Sequence, residues 1–435
     1  MMRILLKNGH IVDPVNKLDG NYDILLNRDK IDKIGKFSEK EITVDEIINL
    51  KEKIVIPGLI DMHTHLREPG YEYKETIKTG CEAAAAGGFT KIVCMANTNP
   101  VVDNPATVEY IKAKAENAAV KVFPAGSITK KLEGKKLSEI GFLKEAGVKV
   151  LSDDGKPVMN SEIMRRAMEY ADSFNMTVID HCEDLNLTGE GVMNEGLYST
   201  ILGLKPIPSA SEEVMVSRDI MLAELTQARL HLSHLSTKNS LDMLKRAKQK
   251  GLKVTGEVTP HHLLLTDKAV KGYDPDTRVN PPLRSQNDVN ALKKGLQEDI
   301  IDVIATDHAP HSYEDKLGEF NYAASGISGL ETALTLIYDN LIKSGELSWN
   351  DLLNKMFVNP AKILGIEITG IKEGVKPDLT VFEPSKKWEI KPEKFKSKGK
   401  NTPFKNQQVQ GKVYMTWVNG KIRYDNRGDK NEIIY

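Results

Sequence analysis

Between about residues 54 and 311 the chain alternates eight short apolar β-type runs with helix-type segments. The runs are "IVIPGLIDMHTH", "FTKIVCMAN", "VKVFPAGSI", "AGVKVLSDD", "MTVIDHCED", "RLHLSHLST", "GLKVTGEVT" and "DVIATDHAP". Segments such as "YKETIKTGCEAAAA", "NPATVEYIKAKAENA", "SEIMRRAMEYADSF", "SEEVMVSRDIMLAELTQA" and "STKNSLDMLKRAKQK" separate them. Such strand–helix alternation predicts an α/β protein built on a parallel (β/α)8 TIM-type barrel. An open doubly wound sheet is the competitor, but no GxGxxG follows the first strand.

The two ends read differently. "RILLKNGHIVDP", "YDILLNRDKIDKIG", "PDLTVFEP" and "VYMTWVNGKIRYD" are strand-like, and Asn419-Gly420 favours a type I′ hairpin. Each end alone is too short to bury a core. We therefore expect one small β-sandwich-like domain from residues 1–55 and 366–435, with the barrel at 56–365.

Partners are bounded by charge. A formal net charge of -1 gives no field to recruit nucleic acid or an anionic membrane. Aromatics at 6% leave no base-stacking platform. Three cysteines without CxxC spacing argue against a disulfide framework. The N-terminal apolar run is broken by Lys7 and Asn8, so it reads as neither signal peptide nor membrane span, and the expected location is the cytoplasm.

The polar residues gather at strand ends, which in such a barrel form the active-site rim. Strand one ends in His63, His65 and Arg67, strand two in Asn97, strand four in Asp153 and Asp154, and strand five in His181. Strand six ends in His234, strand seven runs into Glu257, His261 and His262, and strand eight ends in Asp307 with His311 beyond. His63 and His65, two apart, point to the same side. A lone histidine beside an apolar run is ordinarily structural; four at barrel rims, two of them in HxH, read as metal ligands. Four His and two Asp suit zinc or another borderline divalent ion. Six ligands are too many for one open tetrahedral zinc and fit two ions sharing a carboxylate. One of Asp153 and Asp154 is then a turn residue. His10, His231, His261 and His262 are assigned to structure, and Cys182 faces away from His181. Arg67, one alternation past His65, suits an anion.

The stretches "IPGLIDMHTHLREPG", "SDDG", "HCED", "HLSHLST", "EVTPHHLLLT", "NPPLR" and "IATDHAPH" resemble the amidohydrolase superfamily and, within it, the bacterial type I dihydroorotases. The resemblance runs from about residue 54 to residue 365. It implies reversible, zinc-dependent interconversion of N-carbamoyl-L-aspartate and (S)-dihydroorotate in pyrimidine synthesis. It implies His63 and His65 as ligands of a first zinc, His181 and His234 of a second, and Asp154 as the bridge. Asp307 becomes both a first-metal ligand and the catalytic acid–base. Arg67, Asn97 and His311 correspond to the substrate carboxylate site, with His65, Asn280, Ser325 and Gly326 as further substrate contacts. The resemblance also implies a homodimer, and in some relatives association with aspartate carbamoyltransferase.

Two departures bear on this. Hydantoinases, allantoinases and the other dihydroorotase type bridge their metals with a carboxylated lysine; here Asp154 stands instead, and Lys156 lies past the glycine. Many relatives carry Phe where this chain has Ser325. The competing expectations are another cyclic amidase, or an inactive assembly subunit; the latter usually loses metal ligands, and here six are present. The long polar segment 309–328 is expected to close over the substrate.

Overall fold

Parallel strands covered by helices on their outer side must be apolar on both faces. In the computed structural model, which describes residues 3–38 and 42–427, the eight expected runs all form such strands. The outermost residues of the two expected end segments lie outside the described residues. Leu59–Thr64 and Phe89–Cys94 are buried at every position. They pair in parallel with Lys121–Pro124 to make a three-stranded sheet. Val150–Ser152, Thr177–Asp180, Arg229–Leu232, Val254–Val258 and Val303–Ile304 make a five-stranded parallel sheet in chain order. Isolated parallel bridges join the two at both sides, Gly126 to Leu151 and Thr64 to His308.

All five helix-type segments are helices, and local chemistry sets their starts. Thr76 caps Ile77–Ala86 in a capping box with Thr79. Asn104 caps Pro105–Ala115, with proline in the first turn. Asn160 caps Ser161–Ser173 through the amides of Glu162 and Ile163. Among the described residues no helix is long and apolar enough to cross a membrane. The three cysteines are free and buried.

The two ends share one eight-stranded sheet. Its junction is Ile54–Pro57, parallel to Arg3–Asp13 and antiparallel to Leu379–Glu389. The sheet folds over on itself. Ile24 and Ile31 from one half share a core with Leu379, Met415 and Trp417 from the other. The Lys376 ammonium is 2.8 Å from Asp29, closing the fold. Asn419 and Gly420 have φ of 52° and 81°, as a type I′ turn between Gln408–Val418 and Lys421–Asp425 requires.

Candidate metal centre and active site

The candidate ligands sit at the strand ends and just past them. His63 lies within the first parallel strand, and His65, Asp154, His181, His234 and Asp307 lie one to three residues beyond theirs. Two of these positions bend sharply: His234 has φ of 30° and Asp307 of 47°, while neighbouring Arg67 has φ of 62°. Left-handed backbone at a non-glycine residue costs about 1–2 kcal/mol, a strain that collects at functional sites.

The six side chains converge. His63 Nε2 lies 3.2 Å from Asp154 Oδ1 and 3.6 Å from Asp307 Oδ1. His65 Nε2 is 3.5 Å from Asp154 Oδ2 and 3.1 Å from Asp307 Oδ1. On the other side of Asp154 Oδ1 stand His181 Nδ1 at 3.6 Å and His234 Nε2 at 3.7 Å, themselves 2.8 Å apart. His63, His65 and Asp154 thus form one group of potential ligands, and Asp154, His181 and His234 a second that shares the aspartate. His63 Nε2 and Asp154 Oδ1 are buried without a hydrogen bond. Buried polar atoms without partners are rare, and these two face each other in a set of imidazole and carboxylate donors suited to a borderline divalent ion. The residues fit the expected metals.

The charge balance points the same way. Burial disfavours an imidazolium at His63, but Asp154, Glu257 and Asp307 outweigh it and hold the ring's pKa well above its usual value. Against burial, Asp154 and Glu183 lift His181 to about 10. Burial opposes ionised Asp154 and Asp307 too, yet the surrounding imidazoles pull both below the ordinary carboxylate range. A divalent ion would supply the positive charge these carboxylates favour, and any proton on a ligating ring nitrogen would leave as it bound.

Two carboxylates without an expected role orient the rings. Glu257 Oε1 lies 2.6 Å from His63 Nδ1, and its Oε2 lies 3.1 Å from His231 Nε2. Glu183 Oε2 is 3.0 Å from His181 Nε2 and accepts from Asn280 Nδ2 at 3.0 Å. Both are held near pKa 2 despite burial, Glu257 by His63 and His231, Glu183 by His181 and Asn280. A carboxylate on the outer nitrogen of a ligating histidine fixes its tautomer and strengthens it as a donor. A glutamate inside an apolar strand was the available signal, since fully buried glutamates are almost always paired.

Geometry separates Asp153 from Asp154. Asp153 Oδ1 accepts from the amides of Ile128 and Thr129, and Oδ2 takes the Thr129 hydroxyl. It is the turn residue. Among the histidines assigned to structure, His262 contacts Thr259 Oγ1 and Pro281 O, and His231 bridges Thr255 and Glu257. Cys182 turns away to Asp180 and Asp219. That trio is a third potential ligand group, but the Arg218 guanidinium, 2.7 Å from Asp219 and 3.8 Å from Asp180, already supplies its cation.

The substrate contacts expected from the sequence divide. Arg67 and His311 meet, Nη2 to Nε2 at 3.4 Å, and Arg67 Nε donates to Pro310 O. Asn97 lies beside the candidate ligands: Oδ1 bonds His65 Nδ1 and Nδ2 donates to Asp154 O. Asn280 is bound to Glu183 beside His181. The backbone of Gly326 is held on both sides. Its N–H donates to Arg278 O and its carbonyl accepts from Asn401 Nδ2. Ser325 O accepts from His311 Nε2. The segment 309–328 lies packed down, with Lys316 Nζ on Pro275 O and Arg278 on the carbonyls of Phe320 and Asn321.

Comparison with known proteins agrees with this geometry. The family described as dihydro-orotase-like matches residues 52–240. The dihydroorotase of Syntrophus aciditrophicus (strain SB) is 51% identical over 424 residues, 97% of this chain and 99% of that protein. That of Geobacter metallireducens is 50% identical over 424 residues, 97% of this chain and all of the other. Among solved structures, the L-hydantoinase (dihydropyrimidinase) of Arthrobacter aurescens superposes with a TM-score of 0.88 at 23% identity, covering 100% of this chain and 98% of its own. That likeness is one of fold.

Proposed function

This chain belongs to the dihydroorotase family, and on that premise we propose that it interconverts N-carbamoyl-L-aspartate and (S)-dihydroorotate with the help of two zinc ions. The observation that carries the reading is the convergence of His63, His65, Asp154, His181, His234 and Asp307 from five strand ends on a shared aspartate. Two ions suit the electrostatics. Asp154, Asp307, Glu183 and Glu257 are four buried carboxylates, and two divalent cations would balance them. His63, His65 and Asp307 would hold the first ion, His181 and His234 the second, and Asp154 both. When bound, the ions supply Lewis acidity toward the ring carbonyl and an attacking water.

The chain's own residues do the rest. Asp307 takes the proton of the attacking water and returns it to the leaving ring nitrogen. In the cyclising direction it accepts the proton of the carbamoyl nitrogen and passes it to the departing oxygen. Arg67 and His311 hold the substrate carboxylate, Arg67 through its planar fork. Asn97 and Glu257 keep His65 and His63 aimed.

The reading takes the two parallel sheets as one closed (β/α)8 barrel at residues 56–365, with the isolated bridges as seams. Residues 1–55 and 366–435 are its small β-sandwich-like companion. It also places the enzyme in the cytoplasm as a homodimer, with aspartate carbamoyltransferase as a candidate partner. The test is metal content together with hydrolysis of dihydroorotate, hydantoin and allantoin, before and after chelation. Near two zinc per chain, and turnover of dihydroorotate alone that chelation abolishes and zinc restores, is the expected result. Bound metal without turnover of dihydroorotate would overturn the substrate.

A further inference from the structure

Lys74 has no part in the reading above, yet it meets His311 directly. Its Nζ lies 3.3 Å from His311 Nδ1. An ammonium only donates, so Nδ1 is the acceptor and the proton of the neutral ring sits on Nε2. The opposite side of the ring demands the same tautomer. His311 Nε2 is 2.9 Å from Ser325 O, which only accepts. Burial, with Arg67, Lys74 and Lys316 around it, pushes the ring's pKa down to about 2, so the neutral form is the one present.

Arg67 Nη2 stands 3.4 Å from that protonated Nε2. Both atoms are donors. Ser325 O takes the single Nε2 proton here, and an anionic oxygen seated beside the Arg67 fork would share that proton as its second acceptor.

Lys74 also reaches the mouth segment. Its Nζ is 3.2 Å from Asp315 Oδ2. Asp315 closes the capping box of the short helix Tyr313–Lys316, accepting from the Ser312 amide and hydroxyl. At its own end, Lys74 is fixed to the turn that bears Arg67: its N–H donates to Tyr71 O, and the Tyr71 N–H to Arg67 O. One side chain therefore joins the arginine's turn, the histidine's ring and the helix of segment 309–328.

We infer that Lys74 is a positioning residue for the substrate carboxylate, holding His311 as an Nε2–H donor beside Arg67 and tying segment 309–328 to the turn after the first parallel strand. The inference rests on the assignment of Arg67 and His311 to that carboxylate.

The test uses zinc-loaded Lys74→Met, Lys74→Arg and Arg67→Met, each checked for metal content and melting temperature. Two quantities are read. One is the KM and kcat for dihydroorotate. The other is the tautomer of His311, from the ring nitrogen shifts of histidine-labelled protein, assigned with His311→Gln. Loss of one charge-assisted positioning bond should raise KM about tenfold in Lys74→Met, with a smaller change in kcat. With the ammonium gone, Asp315 Oδ2 at 3.6 Å from Nδ1 competes with Ser325 O at 2.9 Å from Nε2 for the ring proton, so an Nδ1–H population should appear where the parent has none. Lys74→Arg should keep the tautomer and most of the affinity. If Arg67→Met raises KM while Lys74→Met changes neither KM nor the tautomer, the role of Lys74 is wrong and the carboxylate site stands. A Lys74→Met that raises KM with the proton still on Nε2 overturns the tautomer argument. If Arg67→Met leaves KM unchanged, the carboxylate assignment itself fails.

Discussion

Replacing Glu257 with glutamine isolates the effect of one buried charge on the first metal position. The side chain is 1% exposed, and glutamine has nearly the same shape, so packing is preserved. Its amide oxygen can still accept from His63 Nδ1. Its NH2 must then face His231 Nε2, 3.1 Å from Oε2 in the parent. His231 accommodates this by moving its proton to Nδ1, where Thr255 Oγ1 at 2.8 Å accepts it. What is lost is the negative charge behind His63. A hydrogen bond to a charged group contributes about 1.5–3 kcal/mol net and a neutral one about 0.5–1.5. The difference, about 1–2 kcal/mol, predicts zinc affinity at the first position lower by about tenfold, the low end for outer partners of ligating histidines. The assay is competition for zinc against a chromophoric chelator near neutral pH. Glu183→Gln serves as the counterpart that weakens the second position through His181. A folded Glu257→Gln that binds both ions as tightly as the parent would refute the reasoning and leave Glu257 as a structural partner of His231.

Three further outcomes follow from other parts of the molecule. Asp307→Asn, assayed with zinc in excess because the change also removes a proposed ligand of the first position, should lose about a hundredfold to ten-thousandfold in dihydroorotate hydrolysis; parental turnover would remove Asp307 as the proton carrier. Gly326 has φ of 142°, and a Cβ there would lie 2.6 Å from Ala309 Cβ, so Gly326→Ala should cost about 1–3 kcal/mol in thermal unfolding and make segment 309–328 more sensitive to protease. An unchanged melting temperature would show that this backbone is not constrained. Burial raises the Glu331 carboxyl from 4.5 to about 7, against hydrogen bonds from the amides of Lys396 and Ser397. A folded pKa raised in this way favours folding below the unfolded value and loses that benefit as pH rises through 7. Glu331→Gln should therefore melt with the parent in acid and above it at alkaline pH, by about 1–2 kcal/mol once partial exposure is discounted; parallel curves would exclude the effect.

What was legible in the sequence follows from the range of the interactions concerned. Buried parallel strands need apolar residues on both faces, so all eight stood out. The Asn419-Gly420 hairpin is encoded in two residues. The metal-ligand candidates were visible because each interrupts an apolar run at its end. Pairing across the fold was not visible. Glu257 meets His63 from 194 positions away, and Asn280 meets Glu183 from 97. Asp153 and Asp154 are chemically identical in sequence, and only the amides of Ile128 and Thr129 tell them apart. The backbone partners of Gly326, Arg278 and Asn401, likewise belong to distant segments.

Asn401 shows what the terminal sheet does for segment 309–328. A segment as long as 309–328 carries a large conformational entropy that its own contacts do little to offset. The crossover between Leu379–Glu389 and Gln408–Val418 reaches over to it. Asn401 Oδ1 accepts from the His311 amide and the Ser328 hydroxyl, and Nδ2 donates to Ala309 O and Gly326 O. Its own carbonyl takes the Ser328 amide. Ser397 and the Lys398 amide bind Glu75, which lies 3.4 Å from His308, the residue after Asp307. The sheet strand Ile54–Pro57 runs through Gly58 directly into the strand that bears His63, while its partner strand begins the crossover. The sheet thus ties the strand that bears His63 to the crossover that holds segment 309–328, so one element constrains both.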